Sequence, residues 1–373
     1  MTINPRRSGT GVLLLAMFAA VCLAVGSAAP APAEANPGGE ASSYPAKAVP
    51  GRPGDGGTTV AAPLPLHLAK AGGAFGCRLA KQGDDERGGG ERGGDPSDAE
   101  VLLKTLDPFY KQHVTVDDLL IVGSEKVSKY ALREVAYLVR KMLAHRPDVL
   151  EELTKISRMY VCVLAYNEMQ SDLPEHRGMS LLWDHRARGM GGRPVSCAEE
   201  NLLGYEGDPY EGENIFIHEF GHAIDKALAR MGEFDKLPAL YQKAKKSGRF
   251  RGYGMCYHGE FWAEGVQSWF NCNRRGGLEA LGPDGEHLCH INTREQMKKY
   301  MPEFAEFLDD AFRHNKWVYV PVKKRLDQPH LRGYDPAEAP AFRWPRDVAE
   351  AWKRHKAEQA KKRKHREEKD AGQ

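Results

Sequence analysis

His218-Glu219-Phe220-Gly221-His222 is the pattern in this sequence with the clearest chemical content. Two histidines four residues apart fall on one face of a helix, one turn from each other, where both imidazoles can share a metal ion. Glu219 stands beside them. In such a site the glutamate takes a proton from the water that attacks a carbonyl and passes it to the leaving amine, while zinc acts as the Lewis acid. The bland alternative is a surface helix with two stray histidines. The flanking residues weigh against it, because Ile215, Phe216, Ile217, Phe220, Ile224, Leu228 and Met231 form a broad apolar band at helical spacing.

A catalytic zinc needs a third protein ligand. Downstream, Glu260-Phe261-Trp262-Ala263-Glu264 carries two carboxylates four apart on a second amphipathic pattern, so both can face the first helix. One can bind metal while the other orients a ligand histidine through its free ring nitrogen. The competing reading of each glutamate is a simple surface residue.

The run His218-Glu219-Phe220-Gly221-His222-Ala223-Ile224-Asp225, followed by Tyr253-Gly254 and Glu260-Phe261-Trp262-Ala263-Glu264, resembles the family of the anthrax lethal factor catalytic domain and the secreted Pro-Pro endopeptidases. The resemblance implies a zinc ion held by His218, His222 and Glu260, with Glu264 outside the ligand set and Glu219 as general base. It also implies that Tyr253, seven residues before Glu260, stabilises the oxyanion, a role open to nearby Tyr257 and His258 as well. Asp225 fits the family pattern, but an exposed helix carboxylate is the commoner explanation, and it is left out of the catalytic set. The likeness is specific over residues 212–270, architectural over 100–211, and absent from the two ends. Cys256, Cys272 and Cys289, with a loop-rich insertion from Arg186 to Glu200, depart from the family pattern, so no substrate preference carries over. The large additional domains of lethal factor have no counterpart here, so no toxin role is implied.

Around this centre the expected fold is α+β: a zincin-like metallopeptidase domain with the HExxH helix, a second ligand-bearing helix and a small twisted sheet whose edge strand borders the cleft, where an extended peptide could add. Val127, Ala131, Leu132, Val135, Leu138, Val139 and Met142 predict a helix before the site, and Met159–Tyr166 reads as a buried strand. Residues 172–210, rich in Gly, Pro, Asp and Arg, read as long surface loops. Further helices are expected over 233–246, 260–272, 293–300 and 302–314.

The chain has 373 residues and seven cysteines. Arg6 and Arg7, the apolar run Val12–Val25 and Ala31-Pro32-Ala33 read as a signal peptide over 1–33. The run is short of the roughly 20 residues that span a bilayer, so no stable membrane insertion is expected after cleavage. Val21 before Cys22 disfavours lipidation. Residues 34–99 read as a disordered Gly/Pro/Ala-rich linker, 100–345 as the metallopeptidase domain, and 346–373 as a charged tail, disordered or helical. Cleavage would leave the chain close to neutral, with no electrostatic case for nucleic acid. Export, extracellular or periplasmic, makes up to three disulfides among Cys77, Cys162, Cys197, Cys256, Cys272 and Cys289 the expectation.

The function expected from these residues is a secreted zinc-dependent endopeptidase acting on protein or peptide. The alternatives are a zinc-stabilised extracellular binding module without turnover, or a zinc hydrolase of a non-peptide cell-wall amide. Intact Glu219 and Tyr253 argue against the first, since a purely structural site has no use for a general base.

Overall fold

The structure is a computed structural model that describes residues 97–371, with side chains described to residue 368. The expected leader, nearly all of the expected linker, and Cys77 lie outside the described residues.

Five strands form the main sheet: β1 (Gln112–Val116), β2 (Leu119–Gly123), β3 (Tyr160–Leu164), β4 (Gly189–Met190) and β5 (Val195–Ala198). Their order is β1-β2-β3-β5-β4, with β2, β3 and β5 mutually parallel and β1 and β4 antiparallel at the edges. The parallel strands are covered on both faces, which explains their unbroken apolar runs. Ile121, Val161, Val163, Val195 and Cys197 face the larger core, where the helix Lys129–Met142 and the helix Ile215–Arg230 pack. Leu120, Val122, Tyr160, Cys162 and Leu164 face the other side, against Ala99, Tyr110 and Leu173.

The motif helix, Ile215–Arg230, is started by Asn214, whose buried side chain accepts from the Ile217 amide at 3.0 Å. Against it lies the carboxylate helix, His258–Trp269, buried from Gly259 to its end. Expected over 260–272, it stops earlier because Asn271 turns into the left-handed region at φ 60°. Trp262 ties the two helices together, its indole N–H donating to the Gly221 carbonyl at 2.8 Å. A second, antiparallel sheet of β6 (Phe250–Arg251), β7 (Glu279–Leu281) and β8 (His287–His290) follows.

One expectation is overturned, and a second is not met among the described residues. The stretch read as surface loop contains β4, β5 and the helix Glu199–Leu203. Its charge misled: Arg188 is buried and forks onto Glu200 while donating to the Glu168 carbonyl, so the pair satisfies itself inside the protein. The disulfides are not found among the described residues, where the thiols of Cys162, Cys197, Cys272 and Cys289 are unpaired. Cys162 and Cys197 sit on neighbouring strands but point to opposite faces of the sheet, which forbids a bridge. Cys272 donates instead to the Gln267 carbonyl, and Cys289 to that of His290.

The C-terminal helix, Arg346–Ala371, is charged along most of its length. At its start Val348 is buried against Met169 and Phe342, and the His185 ring lies between Trp344 and Trp352, with centroids 4.4 and 4.6 Å away.

Candidate metal centre

The crossing of the motif and carboxylate helices brings the sequence-predicted residues together. One donor atom from each of His218, Glu219 and His222 falls within 4.8 Å of the other two. Glu260 Oε2 lies 3.0 Å from His218 Nε2 and 3.6 Å from His222 Nε2. The two imidazoles are nearly perpendicular, at 78°, with centroids 5.0 Å apart. His218 and Glu260 are buried, and His222 and Glu219 are half-buried at the cleft.

Glu260, Glu264 and Gln267 form a stripe at i, i+4 and i+7, which turns all three side chains to the motif helix. Glu264 Oε1 is 3.8 Å from His218 Nδ1, and Oε2 accepts from Asn273 at 2.8 Å. Gln267, which the sequence reading missed, comes nearer: its Oε1 lies 3.1 Å from His218 Nδ1. Its Nε2 donates to the Asn214 carbonyl at 3.0 Å, which fixes the amide so that oxygen faces the ring. His218 Nδ1–H therefore donates to Gln267, and Nε2, which faces Glu260 Oε2, is the nitrogen a metal would take. The spacing of Gln267 on the Glu260 stripe is the signal that marks it in sequence. Asp225 Oδ2, set aside above, stands 3.9 Å from His222 Nδ1.

Two tyrosines meet the other oxygen of Glu260: Tyr253 and Tyr257 donate to Oε1 at 3.0 and 3.2 Å. Both remain candidates for the oxyanion, whereas His258 is exposed and packs its ring edge-on to Tyr241 and Tyr257. Tyr253 is placed by backbone. Its N–H donates to the Gly276 carbonyl at 2.8 Å, and Gly252, at φ 110°, comes so close to the Gly277 carbonyl that an added Cβ would lie 2.4 Å from it.

The opposite wall is edge strand β4 and the turn after it. The Gly191 amide lies beside the Glu219 carboxylate and favours its charged form. A Cβ on Gly191 would sit 2.9 Å from His222 Cβ and 3.2 Å from Glu219 Oε2.

Charge in the site is strongly coupled. Burial pulls His218 down, but its bond to Glu260 and the charges of Glu219, Glu260 and Glu264 outweigh this and hold it well above the usual imidazole range. His222 is likewise lowered by burial yet carried up to about 9 by Asp225 and Glu260. Burial raises Glu260, and the two histidines reverse this, pushing it below the usual carboxylate range. Burial lifts Glu219, against the pull of both histidines, and lifts Glu264 to about 7. Two imidazoles and one carboxylate form the nitrogen and oxygen donor set of a catalytic zinc, with Glu219 restrained separately. The residues present fit that ion.

The chain matches no family model and no curated protein. Among solved structures it is similar to the Pro-Pro endopeptidase PPEP-2 from Paenibacillus alvei, at 18% identity over 51% of this chain and 96% of that one, with a TM-score of 0.33. A TM-score this low does not establish a shared fold.

Proposed function

We propose that the chain is a secreted zinc-dependent endopeptidase. The observation that carries the reading is the convergence of His218 Nε2 and His222 Nε2 on Glu260 Oε2, at 3.0 and 3.6 Å, with Glu219 held one residue along the same helix. His218, His222 and Glu260 would hold the zinc, which supplies Lewis-acid polarisation of water and carbonyl when bound.

Glu219 accepts the proton of the attacking water and returns it to the leaving amine. Burial raises its basicity, as that task requires, and Gly191 packs beside its carboxylate. The Tyr253 hydroxyl, now on Glu260, turns to the carbonyl oxygen as charge develops there. Glu264 and Gln267 orient His218, and Asp225 orients His222. The substrate enters extended, pairing with β4, the edge strand among the described residues, where Gly191 and Gly192 let its backbone approach. Export rests on the N-terminal sequence pattern.

A diverse peptide library incubated with the zinc-loaded protein and read by mass spectrometry tests the reading, with Glu219→Ala as the matched control. Cleavage by the wild type alone is expected. No cleavage by a protein carrying its zinc would overturn the peptidase reading in favour of a binding module or a non-peptide amide.

A further inference from the structure

We propose that Glu279, His287 and His290 form a second divalent-cation site, suited to zinc, on the small three-stranded sheet. One donor atom from each of the three falls within 4.8 Å of the others. None of the three belongs to the motif helix or the carboxylate helix.

His287 and His290 are three apart and would face opposite sides of an unbroken strand. The β7–β8 ladder is irregular between Ala280, paired with Cys289, and Leu281, paired with His287, so Leu288 is the extra residue of a bulge. The bulge turns both rings to one face, with centroids 4.3 Å apart. Glu279 meets them from β7, opposite His290 in the register.

The existing polar contacts leave this group unsatisfied. His290 Nδ1 is buried and makes no hydrogen bond, although it lies 3.3 Å from Glu279 Oε1. Arg251 donates to the other oxygen, Oε2, at 2.6 Å, anchoring the carboxylate and leaving Oε1 directed at the imidazole. His287 is exposed, which gives an ion a path in.

Two imidazoles and a carboxylate oxygen favour zinc or a like transition ion over calcium or magnesium. Arg251 offsets part of the carboxylate charge, so binding is weaker than at the motif helix. An ion there clamps β8 to β7. The approach to β7 carries Gly276 and Gly277, whose carbonyls hold the Tyr253 turn.

The test is zinc stoichiometry, by elemental mass spectrometry, on the tag-free full chain dialysed from excess zinc. Two equivalents are expected for the wild type. One is expected for His287→Ala with His290→Ala and for the single change His287→Gln, which removes only an exposed ring. His218→Ala with His222→Ala should also retain one. A wild type that holds a single equivalent, or His287 and His290 variants that hold two, would overturn the proposal.

Discussion

Gln267→Leu isolates the contribution of a residue that touches no metal. Gln267 is fully buried, and its carboxamide spans the two helices, facing His218 Nδ1 at 3.1 Å and donating to the Asn214 carbonyl at 3.0 Å. Leucine keeps most of the volume and removes these bonds, along with a longer one from Nε2 to Glu213 Oε2 at 3.5 Å. The His218 Nδ1–H loses its partner while the Asn214 carbonyl keeps the His218 amide at 3.4 Å, a cost of roughly 1 to 3 kcal/mol. Loss of the orienting partner of a ligand histidine costs roughly 10- to 100-fold in metal affinity, or about 1.4 to 2.8 kcal/mol. The assay pairs urea unfolding with zinc competition against a chromophoric chelator. A variant that loses stability but keeps zinc affinity within about twofold would refute the orienting role and leave Gln267 a purely structural bridge.

Three further outcomes follow from the geometry. Gly191→Ala should abolish most peptide cleavage, since its Cβ would meet His222 Cβ at 2.9 Å, while overpacking costs roughly 1 to 3 kcal/mol in a thermal melt; wild-type turnover would contradict the close wall. Gly221→Ala should stabilise by about 0.5 to 1 kcal/mol in urea, because the nearest atoms of Val266 stand at an ordinary 3.6 Å and a helix-interior glycine carries an entropic cost; destabilisation would show a tighter crossing. Burial lifts Glu199 from 4.5 to about 7, against the Ser128 and Tyr166 amides that bond it, so the folded chain keeps a proton that the unfolded chain releases. Its contribution is full below pH 4.5 and is lost as pH rises through 7, roughly 3 kcal/mol. Glu199→Gln should flatten that fall between pH 5 and 8 in paired urea melts, and an unchanged slope would contradict it.

Legibility in the sequence followed periodicity. The motif helix and β3 announced themselves because their apolar residues repeat at 3.6 or run unbroken, and those patterns record burial directly. The Glu260 stripe was readable for the same reason, though Gln267 at its far end escaped because a lone amide has no charge to draw the eye. What failed was the region around Arg188 and Glu200. Buried ions look like surface in a sequence, and only their mutual bond, at the base of the β4–β5 hairpin, shows that they lie inside. Thiols gave the opposite error: cysteine count suggested bridges, whereas the faces of β3 and β5 point Cys162 and Cys197 apart.

Zinc-edge anomalous diffraction from crystals of the zinc-loaded protein tests the central claim most directly. A peak about 2.0 to 2.2 Å from His218 Nε2, His222 Nε2 and a Glu260 oxygen, with Glu219 outside bonding distance, is the predicted result. No peak there, or a peak closed by a fourth protein ligand such as Glu219, would contradict a catalytic centre.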